Sequence, residues 1–346
     1  MSRCLIVLLI LIFSVQNTSR CRAQELDEQK KQLDSSIQRA VQFLSKSQQP
    51  SGAWSFNSYG ESTAATSLAI MAFMAAGYVP EEGPYGEQIN KGIDWVLAHQ
   101  ADNGLVVHHK SHGPMYSHGI STLMLAEVAG MLTGEREKKC QAVLARAIKL
   151  IVSAQDVAKD KRNAGGWRYN QTSKDSDLSV TGWQLLALRA AKNIGCDISA
   201  DHIDKAVAYV RHCRGRNNVG FAYQPGGAPS ATRTGTGILA LEICGQHHTR
   251  EALDAGDYLV EHPLHPDEFY YFYGAYYCSV GMFQMGGEYW KKTRSTIVPQ
   301  LLEMQKHDGS WLATKGSEKE AGKVYSTALA VLALAVEYQY LPIYQR

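Results

Sequence analysis

Apolar residues recur along this chain in two alternating patterns. The first is amphipathic: apolar positions fall three and four apart, and four of the stretches end at a glutamine with a glycine beyond it. That spacing predicts a surface helix, and glycine past its end permits the left-handed turn that stops it. The second pattern is apolar almost all round and rich in small residues. It covers residues 62–77, 116–131, 178–195, 232–245, 270–286 and 325–338. A helix apolar on every side is buried on every side. The alanines at 64, 65, 69, 72, 75 and 76 would let its neighbours approach closely.

The two patterns alternate as a repeat. Arg39-Ala40 leads to Phe43-Leu44, Gln48 and Gly52-Ala53-Trp54. Lys91-Gly92 leads to Trp95-Val96, Gln100 and Gly104-Leu105-Val106. Arg146-Ala147 leads to Leu150-Ile151, Gln155 and, after a longer loop, Gly165-Gly166-Trp167. Lys205-Ala206 leads to Tyr209-Val210, with Arg214 in the glutamine place and then Gly220-Phe221. Residues 254–262 fit a degenerate fifth copy, and Gln305 with Gly309-Ser310-Trp311 makes the sixth. The period is roughly fifty residues.

Six amphipathic and six buried helices form two layers. An open stack would need polar terminal repeats. The last apolar stretch, around 328–336, is as apolar as the others. A closed ring has no ends to cap. The expected fold is therefore all-α, an (α/α)6 toroid of six inner and six outer helices, in one domain over residues 24–346.

The N-terminus does not share the repeat. Arg3 precedes an apolar run from Leu5 to Val15, and Cys21-Arg22-Ala23 offers small residues where a signal peptidase reads. Residues 1–23 are expected to be a signal peptide, with a secreted or periplasmic mature chain. The signal holds three of the 35 bases and no acid, leaving 32 bases against 33 acids, a net charge of about −1. Such a balance gives no nucleic-acid footprint. No internal apolar run has the length of a membrane span. The mature cysteines, 140, 196, 213, 244 and 278, are scattered and odd in number. They suggest neither a zinc ribbon nor a disulfide scaffold, and their pairing stays open.

The Gln-x(2–5)-Gly-x-Trp repeat resembles the signature of the squalene cyclase and protein prenyltransferase α/α-toroid superfamily. Gln48 to Trp54, Gln305 to Trp311 and the expanded Gln155 to Trp167 carry it most closely, with Gln100 in a copy that lacks the tryptophan. The resemblance spans nearly the whole mature chain. It implies that these residues tie outer helices together. Gly113-Pro-Met-Tyr-Ser-His118, Met285-Gly-Gly-Glu-Tyr-Trp290 and the ending Tyr340-Leu-Pro-Ile-Tyr344 resemble short, secreted bacterial members with one toroid.

The superfamily's chemistries fit unequally. A squalene-type cyclase protonates an alkene from an Asp-x-Asp-Asp motif. Here Asp175-Ser176-Asp177-Leu178 keeps Asp177 in the donor place and Asp175 beside it, but the last aspartate is Leu178. Asp177 also stands where an aspartate ordinarily caps a helix. The zinc ligands of a protein prenyltransferase are missing, since no Asp-x-Cys occurs and Ser326 holds the histidine place. The Gly-Cys-Gly-Glu-Gln of thioester toroids is absent. Glycoside-cleaving toroids need paired carboxylates; the pairs available are Asp175/Asp177 and Asp267/Glu268. His108, His109, His112 and His118 cluster without a carboxylate or cysteine at ligand spacing, so neither a metal nor a cofactor is expected.

In such a ring the inner helices run one way, and their N-termini converge at one end. The residues opening them form the expected binding set: Tyr116, His118, Thr181, Arg233, Thr234, Tyr270, Tyr273 and Tyr325. Arg233 near helix N-termini suits a carboxylate or phosphate. The leading expectation is a toroid that binds a ligand in this cavity, an isoprenoid, a peptide or a glycan. A reduced terpene cyclase using Asp177 is the alternative, and a non-catalytic interaction scaffold is a third.

Overall fold

The computed structural model describes residues 27–108 and 113–345. The signal-peptide segment, His109 and His112 lie outside the described residues. The described chain is helical apart from a two-stranded antiparallel hairpin, β1 (Ser55–Phe56) and β2 (Gly60–Glu61).

The outer helices are α1 (27–46), α3 (Gly86–Ala98), α5 (Gly134–Gln155), α7 (Ala200–His212), α9 (Arg250–Glu261) and α11 (Gly287–Met304). The inner helices are α2 (Thr63–Ala75), α4 (Pro114–Val128), α6 (Leu178–Asn193), α8 (Ala231–Ile243), α10 (Tyr271–Met285) and α13 (Lys323–Leu334). A short helix, α12 (Gly316–Ala321), precedes α13. Each inner helix packs on the next in chain order, and α13 packs on α2. That last contact closes the ring.

Composition decides which layer a helix joins. All 13 residues of α2 are buried. In α9 only Ala252, Ala255, Gly256 and Leu259 are buried, a three–four stripe that faces the inner layer.

The repeated glutamine is the clamp between outer helices. Gln48 Nε2 donates to Gly52 O in its own loop and to Gln88 O on α3, both at 2.8 Å. Gln100 reaches Gly104 O and Val143 O, and Gln155 reaches Gly165 O and His202 O. Gln305 bonds Gly309 O at 3.0 Å and Ser36 O on α1 at 2.9 Å, joining the last outer helix to the first. Arg214 takes the role in the fourth copy through Asp254 on α9, at 2.8 Å. The fifth copy has no such clamp: His262 stacks on Tyr258 of its own helix, and Tyr289 bridges instead to Asp257.

The tryptophans fasten the loops. Trp54, Trp167 and Trp311 are fully buried, and their indole N–H groups donate to the carbonyls of Leu44, Ile151 and Leu301 at 2.7–2.8 Å. These carbonyls lie in or just before the last turns of their helices, so each indole ties its loop back onto the preceding outer helix. The glycine between is equally constrained. A Cβ on Gly52, whose φ is +95°, would lie 2.7 Å from Lys91 O on the next outer helix.

The C-terminal end of the ring is closed by the chain's own tail. Leu341, Ile343 and Tyr344 are buried there. Ile343 N donates to Glu127 on α4 at 3.1 Å, and Gln284 on α10 donates to Tyr344 O at 3.0 Å. The Tyr344 and Tyr276 hydroxyls bond each other. With one end plugged, the ring is a cup.

Candidate functional site

The cup opens where the inner helices begin. A cavity of about 510 Å³ lies there. Every inner helix places a residue from its start on the wall: Ser62 and Ala64, Tyr116 and Ser117, Ser179, Arg233, Tyr273, and Tyr325. β1 adds Phe56, the loops add Tyr59, Tyr169, Tyr223 and Tyr270, and α12 adds Ser317, Glu318, Glu320 and Ala321. Trp183, one turn into α6, lines it too. Its ring stacks on Tyr276 at 5.6 Å and 9°, and Tyr276 in turn meets Tyr344 of the plug. The wall is thus largely aromatic with hydroxyl edges.

Of the expected binding set, Tyr116, Arg233, Tyr270, Tyr273 and Tyr325 stand on the wall. Burial pushes the phenols of Tyr116, Tyr273 and Tyr325 above their usual range, so they stay neutral donors. Tyr273 is 8% exposed, and its hydroxyl meets no acceptor at hydrogen-bond geometry among the described residues. Tyr270 holds a left-handed φ of +64°, a strained conformation for an aromatic residue.

His118, Thr181 and Thr234 require correction, because none of them is on the wall. Thr181 Oγ1 accepts from Trp167 N and Thr234 Oγ1 from Phe221 N, each at 3.0 Å. Thr66 and Thr327 do the same for Trp54 and Trp311. In the second copy the acceptor is His118 Nδ1, which takes Val106 N at 3.0 Å while Nε2 faces Ala147 O at 3.1 Å. His118 is a loop anchor in the threonine place. Burial depresses its pKa to about 4, so the ring is neutral. Ser, Thr and Tyr at helix starts look alike in sequence, and only the rotation of each helix separates anchor from wall.

Asp177 is fully buried and also off the wall, whose nearby surface is made by Tyr169, Ser179 and Tyr223. It is the N-cap of α6: Oδ1 accepts from Val180 N at 2.9 Å. Oδ2 lies 3.7 Å from Arg168 Nε, which is 3.4 Å from Asp175. Burial raises the Asp177 carboxyl to about 6, against the pull of the Val180 amide and Arg168. Asp175 is half-exposed and serves as the outer partner of Arg168.

Two acids of α12 reach the cavity, the exposed Glu320 and the buried Glu318, and the sequence pattern singled out neither. Glu318 is 3% exposed. Its carboxyl accepts from the amides of Tyr273 at 2.8 Å and Phe272 at 3.2 Å, at the N-terminus of α10. Burial raises it to about 7, while those amides and the Tyr325 hydroxyl favour the charged form. In the sequence it is one glutamate of a charged surface run, Glu318-Lys319-Glu320, and no spacing rule marks it.

Arg233 is the cation of the wall. It stands 5.5 Å from the Tyr223 ring, and its Nη1 lies 3.3 Å from Ser230 Oγ. No carboxylate among the described residues lies within ion-pair distance of it. His108 also reaches the wall, its ring 4.4 Å from His99. Among the described residues, no cluster of three His, Cys, Asp or Glu side chains could hold a metal. No helix of the described residues is long and apolar enough to cross a membrane.

The fold is shared with solved enzymes of two kinds. An inactive variant of the α-1,6-mannanase GH76A of Salegentibacter sp. HEL1_6, in complex with α-1,6-mannotriose, superposes with a TM-score of 0.63 at 8% identity, over 88% of this chain and 98% of that one. A variant of the type II terpene cyclase MstE from Scytonema, in complex with geranylgeranyl dihydroxybenzoate, superposes with a TM-score of 0.61 at 14% identity, over 92% and 99%. The mannosidase Bt3792 from Bacteroides thetaiotaomicron gives 0.59 at 10% identity, over 88% and 97%. At these identities the likeness is one of fold. No curated protein matches in sequence. The prenyltransferase alpha-alpha toroid domain matches residues 3–110, 91–269 and 272–344, and the chain belongs to that family.

Proposed function

We propose that this toroid binds one molecule with an apolar body and an anionic end in the cavity at its mouth. The carrying observation is the pairing of an aromatic wall with Arg233, a guanidinium that holds no carboxylate of its own. A guanidinium facing a low-dielectric cavity is an anion site, and the rings of Trp183, Tyr116 and Tyr273 suit an extended apolar chain. An isoprenoid acid or isoprenoid phosphate has this chemistry. A solved protein of the same fold holds geranylgeranyl dihydroxybenzoate. The reading also takes residues 1–23 as a signal peptide that sends the chain to a secreted or periplasmic location. N-terminal sequencing of the exported protein tests that part.

The test of binding uses anilinonaphthalene sulfonate, an aromatic anion whose fluorescence rises in apolar sites. It should bind once per chain and be displaced by geranylgeranyl phosphate. Arg233→Ala should weaken it about tenfold or more, the loss of one charge-assisted contact. Displacement by α-1,6-mannotriose but not by the isoprenoid would replace this reading with a glycan site. No binding at all would leave a scaffold that works from its outer face.

A second reading is favoured by one observation, the Asp177 carboxyl raised to about 6. A terpene cyclase would use it as the proton donor. Turnover of a geranylgeranyl substrate that disappears in Asp177→Asn would establish it. The cap bond and the position off the wall argue for binding instead.

A further inference from the structure

The start of α10 lacks the side-chain cap that three of the other five inner helices carry, and α4 and α13, which follow glycines, lack it as well. Ser62, Asp177 and Ser230 cap α2, α6 and α8 with their own side chains. Tyr270, at the same place before α10, makes no side-chain cap. Its cap comes from another repeat: the Glu318 carboxyl on α12 accepts from the Phe272 and Tyr273 amides. An uncapped helix start leaves several amide donors without partners, so α10 depends on α12 staying in place.

The attachment of α12 is slight. It is six residues long, and among the described residues no other repeat has an α-helical counterpart. Ser317, Lys319 and Glu320 are exposed, while Ser317, Glu318, Glu320 and Ala321 form one side of the cavity wall. Gly316 and Gly322 flank it with φ of +59° and +88°. Gly316 gives the backbone freedom at the start of α12, and Gly322 packs so closely on Asn57 that a Cβ there would lie 2.4 Å from its side chain, so movement of α12 must also part that contact. The remaining tethers run to the hairpin turn, from Asn57 N to Ala321 O at 3.0 Å and from Ser58 N and Oγ to Glu320 O at 3.2 and 3.0 Å, and to Asp267, whose O and Oδ1 lie 2.8 and 3.7 Å from Lys315 Nζ.

We infer that α12 is a lid on the cavity and that Glu318 is its latch, so a ligand enters when Glu318 leaves the N-terminus of α10. This rests on the cavity being the binding site. The latch is also pH-sensitive, and its direction follows from linkage. The groups facing the carboxyl are the Tyr325 hydroxyl on α13 and the amides of Tyr271, Phe272 and Tyr273 at the start of α10, with Tyr270 and Tyr273 acting in turn on Tyr325. On its own helix stand Lys319 and Glu320, both exposed. Closed, the carboxyl titrates at about 7, above its ordinary 4.5, because burial outweighs the amides. Open and solvated, it returns toward the ordinary value. A proton therefore binds the closed lid more tightly. Closure is firmest below pH 4.5 and weakens as pH rises through 7. Between pH 6 and pH 8 the open fraction should grow about tenfold.

The rate at which anilinonaphthalene sulfonate enters, read by stopped flow, tests this. The wild-type rate should rise about tenfold from pH 6 to pH 8. Glu318→Gln keeps an acceptor and cannot ionise, so it should enter slowly at both. Glu318→Ala should enter fast at both. Equal wild-type and Glu318→Ala rates, or a pH rise that persists in Glu318→Gln, overturn the latch. Amide exchange at Phe272 and Tyr273, corrected for the intrinsic pH dependence, reads the same equilibrium without any ligand. Faster exchange in Glu318→Ala with no dye bound would sustain the lid and sink the cavity reading. Unchanged exchange would sink the lid alone. If Glu318→Ala does not fold, Glu318→Gln against wild type decides.

Discussion

Gln305 and Ser36 hold each other twice: the Gln305 amide donates to the Ser36 carbonyl at 2.9 Å, and the Ser36 hydroxyl returns a bond to Gln305 Oε1 at 2.9 Å. The two residues are 269 positions apart, so this pair is where the ring shuts. Closure of so long a loop must be held by contacts made at the seam.

Gln305→Ala should therefore cost roughly 1–3 kcal/mol, the usual cost of stranding buried partners, and lower the melting temperature by several degrees. The loss should be local as well as global. Amide exchange in α1 should accelerate more than in α5. Gln100→Ala, at an interior junction, should lower stability by a similar amount without loosening α1. Equal exchange of α1 in both variants would show that the seam is held elsewhere.

The same logic treats His118 as an anchor. Thr66, Thr181, Thr234 and Thr327 perform its task in other repeats. His118→Thr should keep an acceptor for the Val106 amide, while His118→Ala strands that amide and should cost about 1–3 kcal/mol more. The pH profile adds a sign. The folded imidazole titrates at about 4 against an ordinary 6.5, so the unfolded chain takes up the proton first. Stability from the neutral ring is complete above pH 6.5 and is lost as pH falls toward 4. Thermal melts from pH 7 to pH 4 should show a decline in wild type that is shallower in His118→Thr.

What the sequence made legible follows from what repeats. The alternation of amphipathic and apolar stretches, the glutamines at 48, 100, 155 and 305 and the tryptophans at 54, 167 and 311 recur because each junction needs the same clamp and tie. Repetition turned a single ambiguous signal into a fold. The mouth of the cavity was legible for the same reason, since six inner helices must start somewhere. The parts that occur once were not. Glu318 lies in a charged run that reads as a solvated face, α12 fits no repeat, and the Leu341–Tyr344 plug shows only as a short apolar ending. His118 and Thr181 were misplaced because a helix start exposes one side to the cavity and another to the preceding loop. One residue of rotation, about 100°, decides which.

Asp177 separates cap from catalyst. Asparagine is as good an N-cap as aspartate, so Asp177→Asn should keep the Val180 bond and leave stability nearly unchanged. Asp177→Ala should cost about 1 kcal/mol. Neither should alter dye affinity in the cavity, because the carboxylate is off its wall. A strong loss of binding in Asp177→Asn, with melting unchanged, would show that the charge acts on the ligand through Arg168 and Tyr223.

Glu127 tests the plug. Its side chain is 3% exposed and faces the tail through the Ile343 amide. Burial raises it to about 8 against an ordinary 4.5. The group is thus neutral in the fold at pH 7, when the unfolded chain would ionise it. Its contribution to stability is complete below pH 4.5 and is lost as pH rises through 8. Glu127→Gln keeps an acceptor for Ile343 and removes the charge, so it should match wild type near pH 5 and melt higher at pH 9. The gain at pH 9 should be on the order of 1–3 kcal/mol, less than the full shift implies, since burial relaxes around a charge. Removal of the tail after Tyr340 should erase the difference. Without the plug Glu127 meets water, and its carboxyl should return toward the ordinary range. If the truncated chain keeps the alkaline loss of stability, the burial of Glu127 comes from the inner helices alone and the tail does not seal the base of the cup.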